Sequence, residues 1–443
     1  MSASNSAPET APAAGGTVSS RRAVLFTGAR VFDGRSDEVT GPTRVLIADG
    51  KIAAIGDGGD VPSDVPSDAL VIDAGGRTLT PGFIDAHAHV MLQPTLADAA
   101  NTDLAYHALY GASMAKLYLS RGYTTIRDTG GNTFSLKKAI DAGMTEGPRI
   151  FPSGPIISQT SGHGDFTPAA EPSRLVGGHR DNMQMDGHLL VVDGVPEMLR
   201  AVRYVLGRGA SQIKLAVSGG CASERDPLDI TEFTAEEIGA AVKAADDWNT
   251  YVATHVYNPS GIRRAVEAGV RTIEHANLVD PETLRLMKDS GVWLSPQVSV
   301  YVNDPHGLDP SLKKKFTQAR EGLDTLFELA KKTGFERIGF GSDIISAPDT
   351  LAKINEEFVH RTKWFSPAEI LRQATGNNGK MLALAGPRNP YPGALGVIEP
   401  GALADVLLID GDPLEDPSVL TDPERNLAVI VKDGQVFKNL LGE

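Results

Sequence analysis

From Ala23 to Leu79 the chain alternates short apolar runs with turn signals: AVLFTGARVFDG, TRVLIADGKIAAIG and ALVIDAGGRTL are rich in Val, Ile and Leu and are cut by Asp-Gly and Gly-Gly pairs. This predicts a small antiparallel β unit. The far end repeats the pattern in GALGVIEPGALADVLLID and LAVIVKDGQVFK, with another Asp-Gly hairpin signal at Asp433-Gly434. Two β-rich ends around a different middle predict one discontinuous β-sandwich domain, assembled from residues 23–79 and 391–443. Its boundaries fall near Thr80 and Pro390.

In the middle, apolar strand-like runs alternate with 3.6-period helical patterns, as βα units and a parallel sheet require. Eight candidate strands stand out at 82–90, 124–130, 149–157, 212–219, 251–256, 271–277, 292–300 and 337–343. Helices are predicted near 103–121, 196–208, 234–247, 259–268, 280–289, 310–333 and 350–361, and Thr234–Glu237 and Ser366–Glu369 read as capping boxes. Eight strands predict an α/β fold, a (β/α)8 TIM barrel spanning 80–390. A doubly wound open sheet is the competing architecture, but it normally has fewer strands and a Gly-rich phosphate loop after the first, and no GxxxxGK[ST] occurs here.

Composition narrows the function. A chain of 443 residues with 41% hydrophobic and 22% charged residues can bury a sizeable core and is neither collagen, coiled coil nor a wholly disordered chain. The formal charge of −14 disfavours nucleic acid and anionic membrane as partners. No stretch approaches the ~18 consecutive apolar residues of a membrane span. Residues 1–22 read as a flexible N-terminal tail: residues 1–20 lack the apolar run of an export signal, and Arg21-Arg22 is followed only by Ala23–Leu25 before Thr27-Gly28 interrupts. The single cysteine, Cys221, excludes an intramolecular disulfide and any CxxC zinc site, which favours a reducing, cytoplasmic location. Any metal must then be held by histidine and carboxylate.

The histidines answer that condition. His87 and His89 stand two apart in FIDAHAHV, so an extended strand presents both imidazoles on one face, as chelation or ordinary inward packing would have it. His255, His275 and Asp343 each close a predicted strand, and the C-terminal rim of a (β/α)8 barrel is where active sites are built. Four imidazoles and a carboxylate form a site of the zinc type with more ligands than one tetrahedral ion needs, so two ions are expected. Two ions ~3.5–4 Å apart share an anionic bridge and activate a bridging water to hydroxide near neutral pH. The candidate bridge is Lys214 in QIKLAV. An ammonium has no lone pair to offer, but a lysine buried beside cations loses its proton and can take up carbon dioxide as a carbamate; a lysine snorkelling at the barrel mouth is the plainer reading. Asp128 in IRDTGG is a candidate acceptor for a ligand imidazole or for its own Thr-Gly-Gly turn, and Met114, Met183 and Met185 read as adaptable packing.

In combination, TPGFIDAHAH, the lysine of IKLAVSGG, THVYNPSGI, TIEHANLVD and FGSD, in that order, resemble the amidohydrolase superfamily over nearly the whole chain. The resemblance implies that His87, His89 and Asp343 hold one divalent ion and His255 and His275 a second. It implies that carboxylated Lys214 bridges them, and that Asp343 takes the proton of the attacking hydroxide and passes it to the leaving amine. SQTSGHGD, the HVY triplet 255–257 and EHANLVD are similar to the branch of Xaa-Pro dipeptidases, carboxypeptidases, imidazolonepropionase-like enzymes and ochratoxin-hydrolysing amidases. The expected substrate is therefore a small molecule or dipeptide, an amide whose amine half bears a free carboxylate. His163 and Tyr257, in loops at the same rim, are the candidate donors to that carboxylate; Arg225 is a weaker one, since Glu224 and Asp226 can neutralise it, and Cys221 needs no role. The loops 158–195 and 299–312 would set acyl specificity, and family resemblance implies a homo-oligomer. Two alternatives stand: a cyclic amidase of the imidazolonepropionase type, and a non-catalytic metal-binding scaffold.

Overall fold

A computed structural model describes residues 22–56, 65–94, 98, 101–167, 171–172, 174–303 and 309–442. Apart from Arg22, the expected N-terminal tail lies outside the described residues. Five strands come from the N-terminal end, β1 (Val24–Phe32), β2 (Val39–Ala48), β3 (Lys51–Gly56), β4 (Leu70–Asp73) and β5 (Thr78–Pro81). The middle contributes β6 (Phe83–Ala88), β7 (Tyr123–Asp128), β8 (Arg149–Pro152), β9 (Ile156–Ser158), β10 (Leu189–Val191), β11 (Ile213–Ala216), β12 (Val252–Val256), β13 (Thr272–His275) and β14 (Trp293–Ser295). The C-terminal end adds β15 (Val406–Ile409), β16 (Leu427–Lys432) and β17 (Gln435–Asn439).

The two chain ends meet in one eight-stranded sheet ordered β17-β16-β15-β5-β1-β2-β3, with β4 also on β1. Strand alternation sorts its side chains. Val406, Leu408, Val429 and Val431 join Phe26, Val45 and Ile52 in a core of the sheet's own, while Leu407, Ile409, Leu427 and Ile430 face the core of the middle segment. The hairpin signals predicted an antiparallel unit, but the sheet is mixed: β1 pairs with β4 and β5 in parallel and with β2 antiparallel.

The middle strands form two parallel sheets, β6-β7-β8 and β10-β9-β11-β12-β13-β14. Both faces are covered, which is why these strands read as continuous apolar runs. The sheets meet where Ser211 N–H donates to Pro152 O at 2.8 Å. The predicted strand 337–343 lies between β14 and β6: Leu294 N–H donates to Arg337 O, Ala86 N–H to Phe340 O, and Asp343 N–H to His87 O. It holds only one bridge, at Ile338, rather than a regular strand.

The predicted helices appear at Leu104–Ser120, Gly194–Gly207, Ala235–Asp246, Pro259–Glu267, Pro281–Asp289 and Pro310–Thr333, and both capping boxes form. Three expectations need correction. The strand 149–157 is broken into β8 and β9 around Gly154, whose φ of 70° no strand tolerates. The strand 292–300 stops at Ser295, because the Glu357 carboxylate takes the N–H groups of Val298 and Ser299 and starts a helical turn at Ser299–Val302. The helix 350–361 is two short ones, Pro348–Leu351 and Glu356–His360. β10 was not foreseen; three residues show no period.

Candidate active site

His87 and His89 project from one face at the end of β6, and their Nε2 atoms lie 3.2 and 3.1 Å from Asp343 Oδ1. Asp343 is brought there by its own N–H on His87 O, at 2.8 Å. The buried Asp85 ties the same two segments together, accepting from His87 N–H at 2.9 Å and from Ser342 N–H and Oγ–H at 3.0 and 2.6 Å. Burial pushes its carboxyl up to about 6 against those hydrogen bonds.

The β13 end supplies His275, whose ring centre is 5.0 Å from that of His87 and whose Nδ1 is 3.8 Å from Asp343 Oδ2. His255, from β12, stands edge-on to it at 4.4 Å. Lys214, on β11 beside β12, reaches within 3.3 Å of His87 Nε2. His275 and Asp343 sit at φ 73° and 53°, a left-handed backbone that costs ~1–2 kcal/mol for a residue with a side chain and persists only where its surroundings hold it. All six residues expected to form the site therefore converge.

The groups that aim these imidazoles were mostly not foreseen. Glu274 Oε2 is 2.9 Å from His87 Nδ1 and takes a 2.6 Å hydrogen bond from the fully buried Arg127. His89 Nδ1 bonds the Gly130 carbonyl at 3.1 Å, and His275 Nδ1 the Tyr301 hydroxyl at 3.0 Å. A charged Arg127 beside Ile126, within the segment expected to form the barrel, was the one signal of this in the sequence. Asp128 does not touch an imidazole; it accepts from Val90 N–H and Gly130 N–H, shaping the turn whose carbonyl meets His89.

Burial, only partly offset by Asp343, lowers the pKa of His89, and it holds His255 and His275 well below the usual histidine range, so these three are neutral near pH 7. Asp343 is held well below the usual carboxylate range: burial would raise it, but His87, His89 and His275 outweigh that. Burial lowers Lys214 to about 8, although Glu274 and Asp343 pull the other way. His89 and His275, neutral and with their Nδ1 atoms engaged, together with an ionised carboxylate and a lysine whose pKa burial lowers, offer donors that fit a divalent metal ion. His275 Nε2 is buried without a hydrogen-bond partner, as an atom reserved for a metal would be.

His87, His89, Lys214, His255 and Asp343 open onto a cavity of about 610 Å³. His163 and Tyr257 both line it, the first stacked on His255 at 4.0 Å and the second on His275 at 4.9 Å. Asp226 orients His163, lying 3.1 Å from Nδ1, and is itself tied to Gly220 N–H and Lys315. It is thus not available to neutralise Arg225, which is exposed on the cavity wall. Met183 lines the cavity and Met114 packs on the core, whereas Met185 is exposed rather than packed. Burial pushes the Cys221 thiol up to about 12, so it is no nucleophile at neutral pH.

A second histidine cluster needs no ion to explain it. Asn132 N–H donates to His188 Nδ1, so His188 carries its proton on Nε2 and donates to His107 Nδ1 at 2.9 Å; His107 Nε2–H then meets Thr102 Oγ1. Asp186 lies beside this pair.

A profile of the amidohydrolase family matches residues 78–437. The chain belongs to the amidohydrolase family. This amidohydrolase is 31% identical over 406 residues to the ochratoxinase of Aspergillus niger, a match covering 89% of the chain and 82% of the relative. The crystal structure of A. niger ochratoxinase superposes with a TM-score of 0.82 over 94% of this chain and 96% of that one. A prolidase solved with N-methylphosphonate-L-proline is 35% identical, with a TM-score of 0.85 over 94% and 100% of the two chains. A Xaa-Pro dipeptidase with bound methionine in its active site is 29% identical, with a TM-score of 0.80 over 94% and 100%. The enzyme is therefore a hydrolase of C–N bonds, from a family that is generally metal-dependent. Among the described residues no helix is long and apolar enough to cross a membrane.

Proposed function

We propose that this amidohydrolase cleaves an amide or peptide bond whose amine half carries a free carboxylate: a Xaa-Pro dipeptide, a C-terminal amino acid, or an N-acyl amino acid such as ochratoxin A. The observation that carries this reading is the ionised Asp343 among neutral imidazoles at a cavity whose wall holds His163 and Tyr257. Met91, Leu92, Ile156, Phe166 and Leu189 give the cavity an apolar portion that suits an acyl group, beside polar residues such as Asp165, Arg180 and Arg225. The fold neighbours support closure of the two parallel sheets into a (β/α)8 barrel over 80–390, with residues 23–79 and 391–443 as the β-sandwich domain. The buried free Cys221 is in keeping with a reducing, cytoplasmic location.

In this reading His87, His89 and Asp343 would hold one zinc ion and His255 and His275 a second, with Lys214 between them. Divalent ions there would polarise the scissile carbonyl and make water a nucleophile near neutral pH. Lys214 joins as a carbamate: its unprotonated amine attacks carbon dioxide, the N–H proton leaves to solvent, and a carboxylate results. His163, with Nδ1 turned to Asp226 and Ser223, faces Nε2 toward the substrate carboxylate. Tyr257 donates its hydroxyl proton there. Asp343 accepts a proton from the attacking water and returns it to the departing amine, which needs an ionised carboxylate at the start.

The test is turnover of matched substrates by zinc-loaded protein: N-acetyl-L-phenylalanine, ochratoxin A, Ala-Pro and a cyclic amide, with metal content measured. Hydrolysis of at least one acyclic substrate, lost on chelation and restored by zinc, is expected. Turnover confined to the cyclic amide would reject the carboxylate-bearing substrate, and bound metal with no turnover of any of the four would favour the metal-binding scaffold.

A further inference from the structure

Tyr301 lies between the two ends of the site. Its hydroxyl is 3.0 Å from His275 Nδ1 and 2.7 Å from the Tyr257 hydroxyl, and both tyrosines are essentially buried. Asp343 Oδ2, at 3.8 Å from the same Nδ1, is beyond hydrogen-bond reach, so Tyr301 is the partner of that nitrogen. The other nitrogen, Nε2, is buried and without one. We propose that Tyr301 is a positioning residue that couples metal occupancy at His275 to the hydrogen-bonding sense of Tyr257. The inference rests on the metal and substrate roles given to these two residues above.

The coupling follows from counting protons along the row. A neutral imidazole that gives its Nε2 lone pair to an ion carries its proton on Nδ1. That N–H donates to Tyr301, whose own O–H must then go to Tyr257. The Tyr257 proton is left to point elsewhere, and Tyr257 lines the cavity. The neighbouring Cys221 thiol, protonated at neutral pH, competes only weakly as an acceptor. With the proton on Nε2 instead, every bond reverses: Tyr301 donates to His275, Tyr257 donates to Tyr301, and Tyr257 presents only a lone pair, which a carboxylate avoids. An ion at His275 admits only the first arrangement, and so fixes Tyr257 as an acceptor from Tyr301 and a donor toward the cavity. By linkage, a bound carboxylate strengthens metal binding by the same factor.

Two measurements test this without turnover. Chelator competition on Tyr301→Phe, with folding checked by circular dichroism, should show one zinc ion bound ~10–100-fold more weakly than in the wild type, the usual effect of removing a partner that orients a ligand. Unchanged zinc affinity would overturn the link to His275. Calorimetric titration of L-phenylalanine and L-proline, with phenethylamine and pyrrolidine as matched amines, into wild type and Tyr257→Phe should show a loss of ~10-fold for the amino acids in zinc-loaded protein and less than twofold in zinc-free protein. An equal loss in both states overturns the reversal. If the loaded wild type binds neither amino acid, the carboxylate reading and the Tyr257 half of this proposal both fall, while the zinc affinity of Tyr301→Phe still decides the His275 half.

Discussion

Replacing Arg127 by methionine removes the cation from an ion pair closed to water on both sides. Arg127 and Glu274 are each fully buried, and the guanidinium donates to Glu274 Oε2 at 2.6 Å, to Thr272 Oγ1 at 3.1 Å and to the Ala86 carbonyl at 2.5 Å. Methionine refills most of the volume but leaves a buried carboxylate with only His87 and Thr272 as partners. Breaking one side of a buried pair costs ~3–5 kcal/mol, most of it the desolvation of the charge left behind. The carboxylate has one escape. Burial would raise its pKa, and Arg127 and His87 presently outweigh that; without Arg127 it can take a proton and stop accepting from His87. The assay is urea unfolding at pH 7, in zinc-free protein because bound metal adds stability that depends on free zinc. Arg127→Met should lose about 3–5 kcal/mol, and adding Glu274→Gln should recover at least half by removing the stranded charge. A loss below about 1 kcal/mol, or no recovery in the double variant, would refute the view that this pair anchors His87.

Three further outcomes follow from the geometry. Asp343→Asn should lower kcat by ~10²–10⁴ on any amide the enzyme hydrolyses, because the amide cannot accept the proton; steady-state kinetics at matched zinc occupancy checks it. In Gly220→Ala the added Cβ would stand 2.2 Å from His163 Cε1 and 2.7 Å from His255 Nε2, so one ring must move, and KM for a carboxylate-bearing amide should rise by ~10-fold or more; an unchanged KM would argue against His163 as an anchor. Glu232, fully buried, accepts from His163 N–H, and burial pushes its carboxyl up to about 8 from an ordinary value of 4.5. The folded state therefore keeps a proton that the unfolded chain has lost, so this contribution is complete below pH 4.5 and is lost as pH rises toward 8. Melting temperatures from pH 5 to 9 should fall more steeply in the wild type than in Glu232→Gln, and parallel curves would contradict the assignment.

How much of this was legible in the sequence differs by residue. His87 and His89 were readable because a strand repeats every two residues, and His255, His275 and Asp343 because each closes an apolar run. Lys214 was suggested by its place in such a run, but its pKa near 8 is a product of burial and no local pattern carries it. Glu274 and Tyr301 were passed over. Glu274 serves His87, 187 positions away, and Tyr301 lay in the loop 299–312 expected to set acyl specificity, where the Glu357 carboxylate, 58 residues beyond Ser299, starts the helical turn that carries it to His275.

By itself, then, the sequence determined the alternation of strands and helices, the β-rich ends and the positions of the candidate site residues at strand ends, because these depend on short-range periodicity and on where a strand stops. Only the tertiary structure decided which groups the imidazole nitrogens meet, in which direction burial and neighbours shift the carboxylates, that Arg127 holds Glu274 against His87, and that Tyr301 joins His275 to Tyr257. Those outcomes depend on desolvation and on hydrogen bonds between residues far apart in the chain, which exist only once the strands are side by side.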